Sequence, residues 1–142
     1  MISIDNTTDC TLDTPMLEAI ADALTQREIE LVICDDATIA ELNRTHRQID
    51  APTDVLSFPL AGEHDHMPLG TVVIACDHAR RKADELGHTP DAEIALLFIH
   101  GLLHLLGYDH ETDAGQMRER EHTLIRMFEL PESLIVRTEE RP

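Results

Sequence analysis

The stretch from His100 to His110, HGLLHLLGYDH, describes a helix that is obliged to stop. Thr89-Pro90 opens the segment with a capping hydroxyl and a proline suited to the first turn. From there to Leu106 the chain is at its most apolar, and Gly107 offers the left-handed residue that ends helices. On this helix His100 and His104 are four apart, so their side chains lie about 40° from each other on one face. His110 would point about 240° away from His104 if the helix continued. It meets the other two only if the chain turns back at Gly107.

Three neutral imidazoles brought together in this way make three corners of a tetrahedron and suit Zn²⁺ with one position left open. An open zinc site acidifies a water to a pKa of about 7 and acts as a Lewis acid, which points to hydrolysis. Two plainer readings stand beside it. The pair could be buried core histidines, at the cost of placing polar rings in an apolar setting. The zinc could instead be structural, which normally takes a fourth ligand, often Cys. None of Cys10, Cys34 and Cys76 is near this segment in sequence. The spacing is similar to the metzincin peptidase run H-E-x-x-H-x-x-G-x-x-H. Gly101, however, stands where those enzymes carry the general-base glutamate.

The remainder of the 142 residues is enough for one domain. Residues 1–5, 28–34, 54–58 and 69–76 read as strands. Helices are expected from a Thr14 cap, from Asp35 or Asp36, over 77–86, from Thr89 to Leu106, and from Thr112 or Asp113. The interleaving predicts an α+β fold: a small mixed sheet of about four strands packed with about five helices. A single hydrolase domain is expected over residues 1–130 and a weakly ordered tail over 131–142. Met1 to Cys10 lacks a signal-peptide pattern, no window is apolar enough for a transmembrane helix, and the cysteines, odd in number and widely spaced, predict no disulfide framework. A reducing cytoplasm is the expected location.

The sequence is identified as resembling the YbeY family of bacterial endoribonucleases. HGLLHLLGYDH matches the family signature H-G-x-L-H-L-x-G-Y-D-H. LNRTHRQIDAPTDVLSFPL, from Leu42 to Leu60, is similar to a second family run, and the strand at Leu69–Ile74 and the segment HETDAGQM also fit. The resemblance implies a zinc-dependent, single-strand-specific endoribonuclease in 3′-end maturation of small-subunit ribosomal RNA and in ribosome quality control. It implies His100, His104 and His110 as ligands of one Zn²⁺, with His104 and Arg47 in catalysis and Asp109 orienting an imidazole. Two positions depart from the family: His46 replaces a usual Tyr, and Thr71 replaces a frequent acidic residue.

Charge sets the remaining limits. Eleven basic residues face twenty-eight acidic ones, for a net charge of −17. Bulk attraction to RNA or anionic lipid is excluded, so RNA must be met locally or presented by the small ribosomal subunit or a ribosomal protein. Arg47 carries a fork suited to phosphate; its plainer reading is a helix-end arginine near Asp50. Arg44 reads as a possible helper or a surface residue. Arg80, Arg81 and Lys82 read first as a solvated face, as do His78, His88 and His122. Thr53, Asp54 and Ser57 read as turn and edge chemistry, His64 and His66 as loop histidines, and Cys76 as a small buried residue. The competing functions are a metzincin-like peptidase and a non-catalytic assembly module braced by zinc.

Overall fold

Apolar side chains recurring at every second residue build a four-stranded sheet in the order β1-β2-β4-β3. Its strands are β1 (Ile2–Asn6), β2 (Ile29–Cys34), β3 (Val55–Pro59) and β4 (Gly70–Ala75). The first, second and fourth run parallel, and β3 is an antiparallel edge. Five helices, α1 (Thr14–Leu24), α2 (Asp36–Arg47), α3 (Cys76–Leu86), α4 (Pro90–Leu105) and α5 (Gln116–Met127), complete the predicted α+β architecture. The computed structural model describes residues 2–49, 53–60, 68–108, 114–131 and 134. Among these, no helix is long and apolar enough to cross a membrane.

The two sheet faces have different coverings. Ile29, Leu31 and Ile33 of β2, Val72 and Ile74 of β4, and Val55 of β3 join α1, α3, α4 and α5 in one core. The alternate residues Cys34, Val73, Ala75 and Leu56 meet Ile39 of α2 on the other face. Central strand β4 is therefore apolar on both sides, as its continuous apolar run requires. Helix α4 is covered by the sheet on one side and by α5 on another, where Ala92 and Leu96 meet Ile125 and Leu134. Consecutive residues Leu96, Leu97, Phe98 and Ile99 are all fully buried, each contributing about 1.5–3 kcal/mol of hydrophobic stabilisation. Leu134, within the span expected to be a tail, is buried too.

Local chemistry sets the helix ends. Asp13, one residue before the expected Thr14, caps α1 by accepting from the Met16 N–H at 3.2 Å. Asp35 caps α2 through the Thr38 N–H at 2.8 Å, and hydrogen bonding from the Thr38 side chain, then from its backbone, holds the carboxyl below the usual range. Thr89 caps α4 through the Ala92 N–H at 3.2 Å.

Two expectations are corrected. Cys10 and Cys76 form a disulfide, contrary to the pairing-free reading of the cysteines. β1 and β4 both run parallel to β2, so the segments after their C-terminal ends emerge at one end of the sheet. Cys10 follows β1 and Cys76 follows β4, so topology joins residues 66 apart in sequence. In the chain-entropy account, closing a loop of this length is worth about 4 kcal/mol. The second correction is His88: its side chain is buried, not superficial, and its Nε2 lies 3.0 Å from Glu93 Oε1 in the first turn of α4.

Candidate metal centre at the end of α4

His100 and His104 share one face of α4, and their Nε2 atoms lie 3.1 Å apart with the rings edge to face. Each ring is held from behind. His100 Nδ1 lies 3.1 Å from Oε1 of Glu121 on α5, and both side chains are only 5% exposed. His104 Nδ1 lies 3.1 Å from the carbonyl oxygen of Tyr108. A carboxylate and a carbonyl only accept, so each Nδ1 carries a proton, and a ring with no second proton presents its Nε2 lone pair to the other.

The carbonyl behind His104 is delivered by the helix stop. The Gly107 N–H donates to the His104 carbonyl at 3.0 Å and the Tyr108 N–H to the Leu103 carbonyl at 3.0 Å, the paired bonds of a Schellman end. Gly107 has φ 99°, and an added Cβ would meet nothing within 4 Å. Glycine is needed there for its backbone conformation, not for space. The helix thus ends where the sequence predicts. His110 and Asp109 lie outside the described residues, as do Asp50, His64 and His66.

Two observations show that this pair could hold a metal ion. Two lone pairs facing each other at 3.1 Å repel unless a cation or proton lies between them. At zinc–nitrogen bonds of about 2.0–2.1 Å, neighbouring tetrahedral ligands stand about 3.3–3.4 Å apart, close to the spacing seen. The second observation is Glu121 Oε2, which is buried with no hydrogen-bond donor among the described residues. Leaving such an atom unsatisfied costs about 1–3 kcal/mol or more, and positive charge across the His100 ring offsets it. Among the described residues no set of three ligating side chains converges. No cysteine can close the site: Cys10 and Cys76 are bonded to each other, and Cys34 packs on the α2 face of the sheet.

Gly101 tells against a peptidase. A Cβ there would come within 2.7 Å of Val72 Cγ1 and 3.1 Å of Ser57 Oγ, so this position is pressed onto β3 and β4. A glutamate has no room in it. Glu121 does not substitute, because its carboxylate lies behind His100 on the Nδ1 side.

The other predicted residues separate clearly. Arg47 is the last residue of α2, exposed, and in no ion pair among the described residues. Its neighbour His46, in the place of the family tyrosine, packs its ring on Phe58 at 4.8 Å. Ser57, the preceding residue of β3, donates to the Gly101 carbonyl at 2.9 Å on the opposite face. Edge strand β3 thus touches the helix of Arg47 through one residue and the helix of the histidines through the next. Thr71 donates to Glu30 at 3.3 Å on the α2 face, so no acidic side chain at that position would look toward the imidazoles. Arg80, Arg81 and Lys82 pair with Asp9, Asp36 and Glu85, and Arg44 pairs with Glu41. They form a solvated, self-neutralised face.

Glu121 was not anticipated from the sequence, although a signal exists. Met117, Glu121, Leu124 and Ile125 occupy one face of α5 at the spacing of a buried stripe, and all four are buried. A carboxylate within such a stripe calls for an internal partner.

The chain is similar over its length to known proteins. Residues 3–129 match the family model described as endoribonuclease YbeY. The endoribonuclease YbeY of Wolinella succinogenes is 55% identical over 140 residues, covering 99% of this chain and 99% of that protein. That of Helicobacter pylori strain J99 is 54% identical over 141 residues, again covering 99% of each. A solution structure of a Thermotoga maritima protein superposes with a TM-score of 0.62 at 27% identity, covering 90% of this chain and 89% of that one. The glycine-stopped helix, its histidine pair and the full-length similarity lead to one conclusion: this chain belongs to the endoribonuclease YbeY family.

Proposed function

We propose that this protein is a zinc-dependent, single-strand-specific endoribonuclease that acts in 3′-end maturation of small-subunit ribosomal RNA and in ribosome quality control. Family membership supports the nuclease activity. The observation that carries the metal dependence is the pair of Nε2 atoms at 3.1 Å, each ring held at its Nδ1 by an acceptor. His100 and His104 would hold the ion together with His110. A zinc ion held there supplies Lewis acidity and a water acidified to near neutrality.

The protein's own groups do the rest. Glu121 and the Tyr108 carbonyl keep both rings turned with Nε2 forward, and Asp109 is proposed to orient the third. Arg47, free of ion pairs among the described residues, is proposed to bind the scissile phosphate and to neutralise charge gathering on its non-bridging oxygens. The place of action is proposed to be the cytoplasm, with RNA presented by the small subunit or a ribosomal protein.

The test is cleavage of single-stranded RNA alongside metal analysis for wild type, His104→Ala and Arg47→Ala. His104→Ala should lose both zinc and cutting. Arg47→Ala should keep zinc and slow cutting about 100–1,000-fold, the effect of removing one aimed donor. Equal cutting by all three proteins, or zinc retained in full by His104→Ala, would overturn the reading.

A further inference from the structure

We infer that Glu121 is the positioning residue of the metal centre: a carboxylate from a second helix that fixes the His100 ring and supplies the negative charge that retains the cation. The inference rests on the metal-dependent reading above and deepens it.

His100 is placed by α4, but α4 alone sets only the start of its side chain; ring rotation is decided by what Nδ1 meets. The Glu121 carboxylate meets it at 3.1 Å, in a contact where both side chains are 5% exposed. The bond fixes the Nδ1–H tautomer, leaves Nε2 as the only available ligand atom, and raises its basicity. The two ring nitrogens then have separate tasks, one toward α5 and the other toward His104.

The second oxygen separates this role from a plain interhelix tie. Glu121 Oε2 is buried without a donor among the described residues, so the carboxylate is compensated through His100 alone. A neutral interhelix hydrogen bond would be better made by glutamine, whose amide brings its own donors and no buried charge. A carboxylate suits this place if the ring carries positive charge, as it does on coordinating a cation. Its neighbours on the inward face of α5, Met117, Leu124 and Ile125, are apolar and buried. His104 is held differently, by a neutral backbone carbonyl, so Glu121 is the charged support among the described residues around the pair.

The experiment is a competition titration of the full-length chain against a chromophoric zinc chelator, comparing wild type, Glu121→Gln, Glu121→Ala and Leu124→Ala. Glu121→Ala should weaken zinc binding about 10–100-fold, and Glu121→Gln, which keeps an acceptor but no charge, by less than that. Leu124→Ala removes a buried side chain from the same helix face and should lower thermal stability with zinc affinity unchanged. Nitrogen-15 spectra of the metal-free proteins give a second reading. His100 should be protonated at Nδ1 in wild type and Glu121→Gln, and should become a mixture of tautomers in Glu121→Ala. Zinc affinity within twofold of wild type in both Glu121 variants, or an unchanged tautomer in Glu121→Ala, overturns the inference. A wild-type chain that shows the tautomer yet retains no zinc overturns the metal-dependent function instead, and with it the retention role.

Discussion

Cys34 shows how position decides the chemistry of a single residue. Burial first, and then the negative charges of Asp35 and Asp36, push its thiol up to about 11. The reactive form of cysteine is the thiolate, so at pH 8 this group is inert in the folded chain. Protein prepared without reductant should take up no alkylating agent while native, and one equivalent per chain after unfolding, since Cys10 and Cys76 are bonded. Three equivalents would show the pair open, the state a reducing cytoplasm favours. Residues were legible in the sequence where spacing alone acts, as for His100 and His104, or where a conformation is demanded, as at Gly107. They were illegible where the partner is remote: nothing in the 66-residue interval announces the Cys10–Cys76 bond, and only an acid inside an apolar stripe hints at Glu121.

At the scale of elements, the contact between α4 and the sheet carries the site. Gly101 lets the helix approach so closely that Ser57 reaches its carbonyl at 2.9 Å. Alanine at this position would gain about 1 kcal/mol of helix propensity. It would also drive a methyl group against Val72, a branched side chain that is fully buried, and overpacking of that kind costs about 1–3 kcal/mol. The clash should win. Gly101→Ala is expected to lower Tm by several degrees in thermal unfolding followed by circular dichroism; an unchanged or higher Tm would show that α4 is not seated as described. Elements were read well because caps, prolines and alternation act locally, as Thr89 and Pro90 do for α4. The face each helix covers was not readable, because β4 is apolar on both sides and does not say which helix lies where.

At the scale of the whole molecule, a net charge of −17 must be reconciled with an RNA substrate. Arg44, Arg80, Arg81 and Lys82 are each engaged in an exposed ion pair, which weakens the field they offer a polyanion. Contact with the phosphate backbone is proposed to involve few groups, with Arg47 chief among them. For single strands, log Kd varies with log salt by about 0.7 per phosphate neutralised, so a slope of no more than about 2 is expected. A slope of 5 or more, measured by fluorescence anisotropy with a labelled single-stranded RNA, would contradict it. The composition made this tension visible; the pairing of Arg80 and Arg81 with carboxylates of the segment after β1 and of α2 became visible only in the fold.

X-ray absorption at the zinc edge of the zinc-loaded protein tests whether a cation is gripped between the Nε2 atoms of His100 and His104. A first shell of nitrogen and oxygen at about 2.0–2.1 Å is expected, with the outer-shell scattering of imidazole rings. A sulfur shell at about 2.3 Å, or a first shell without imidazole scattering, would contradict it.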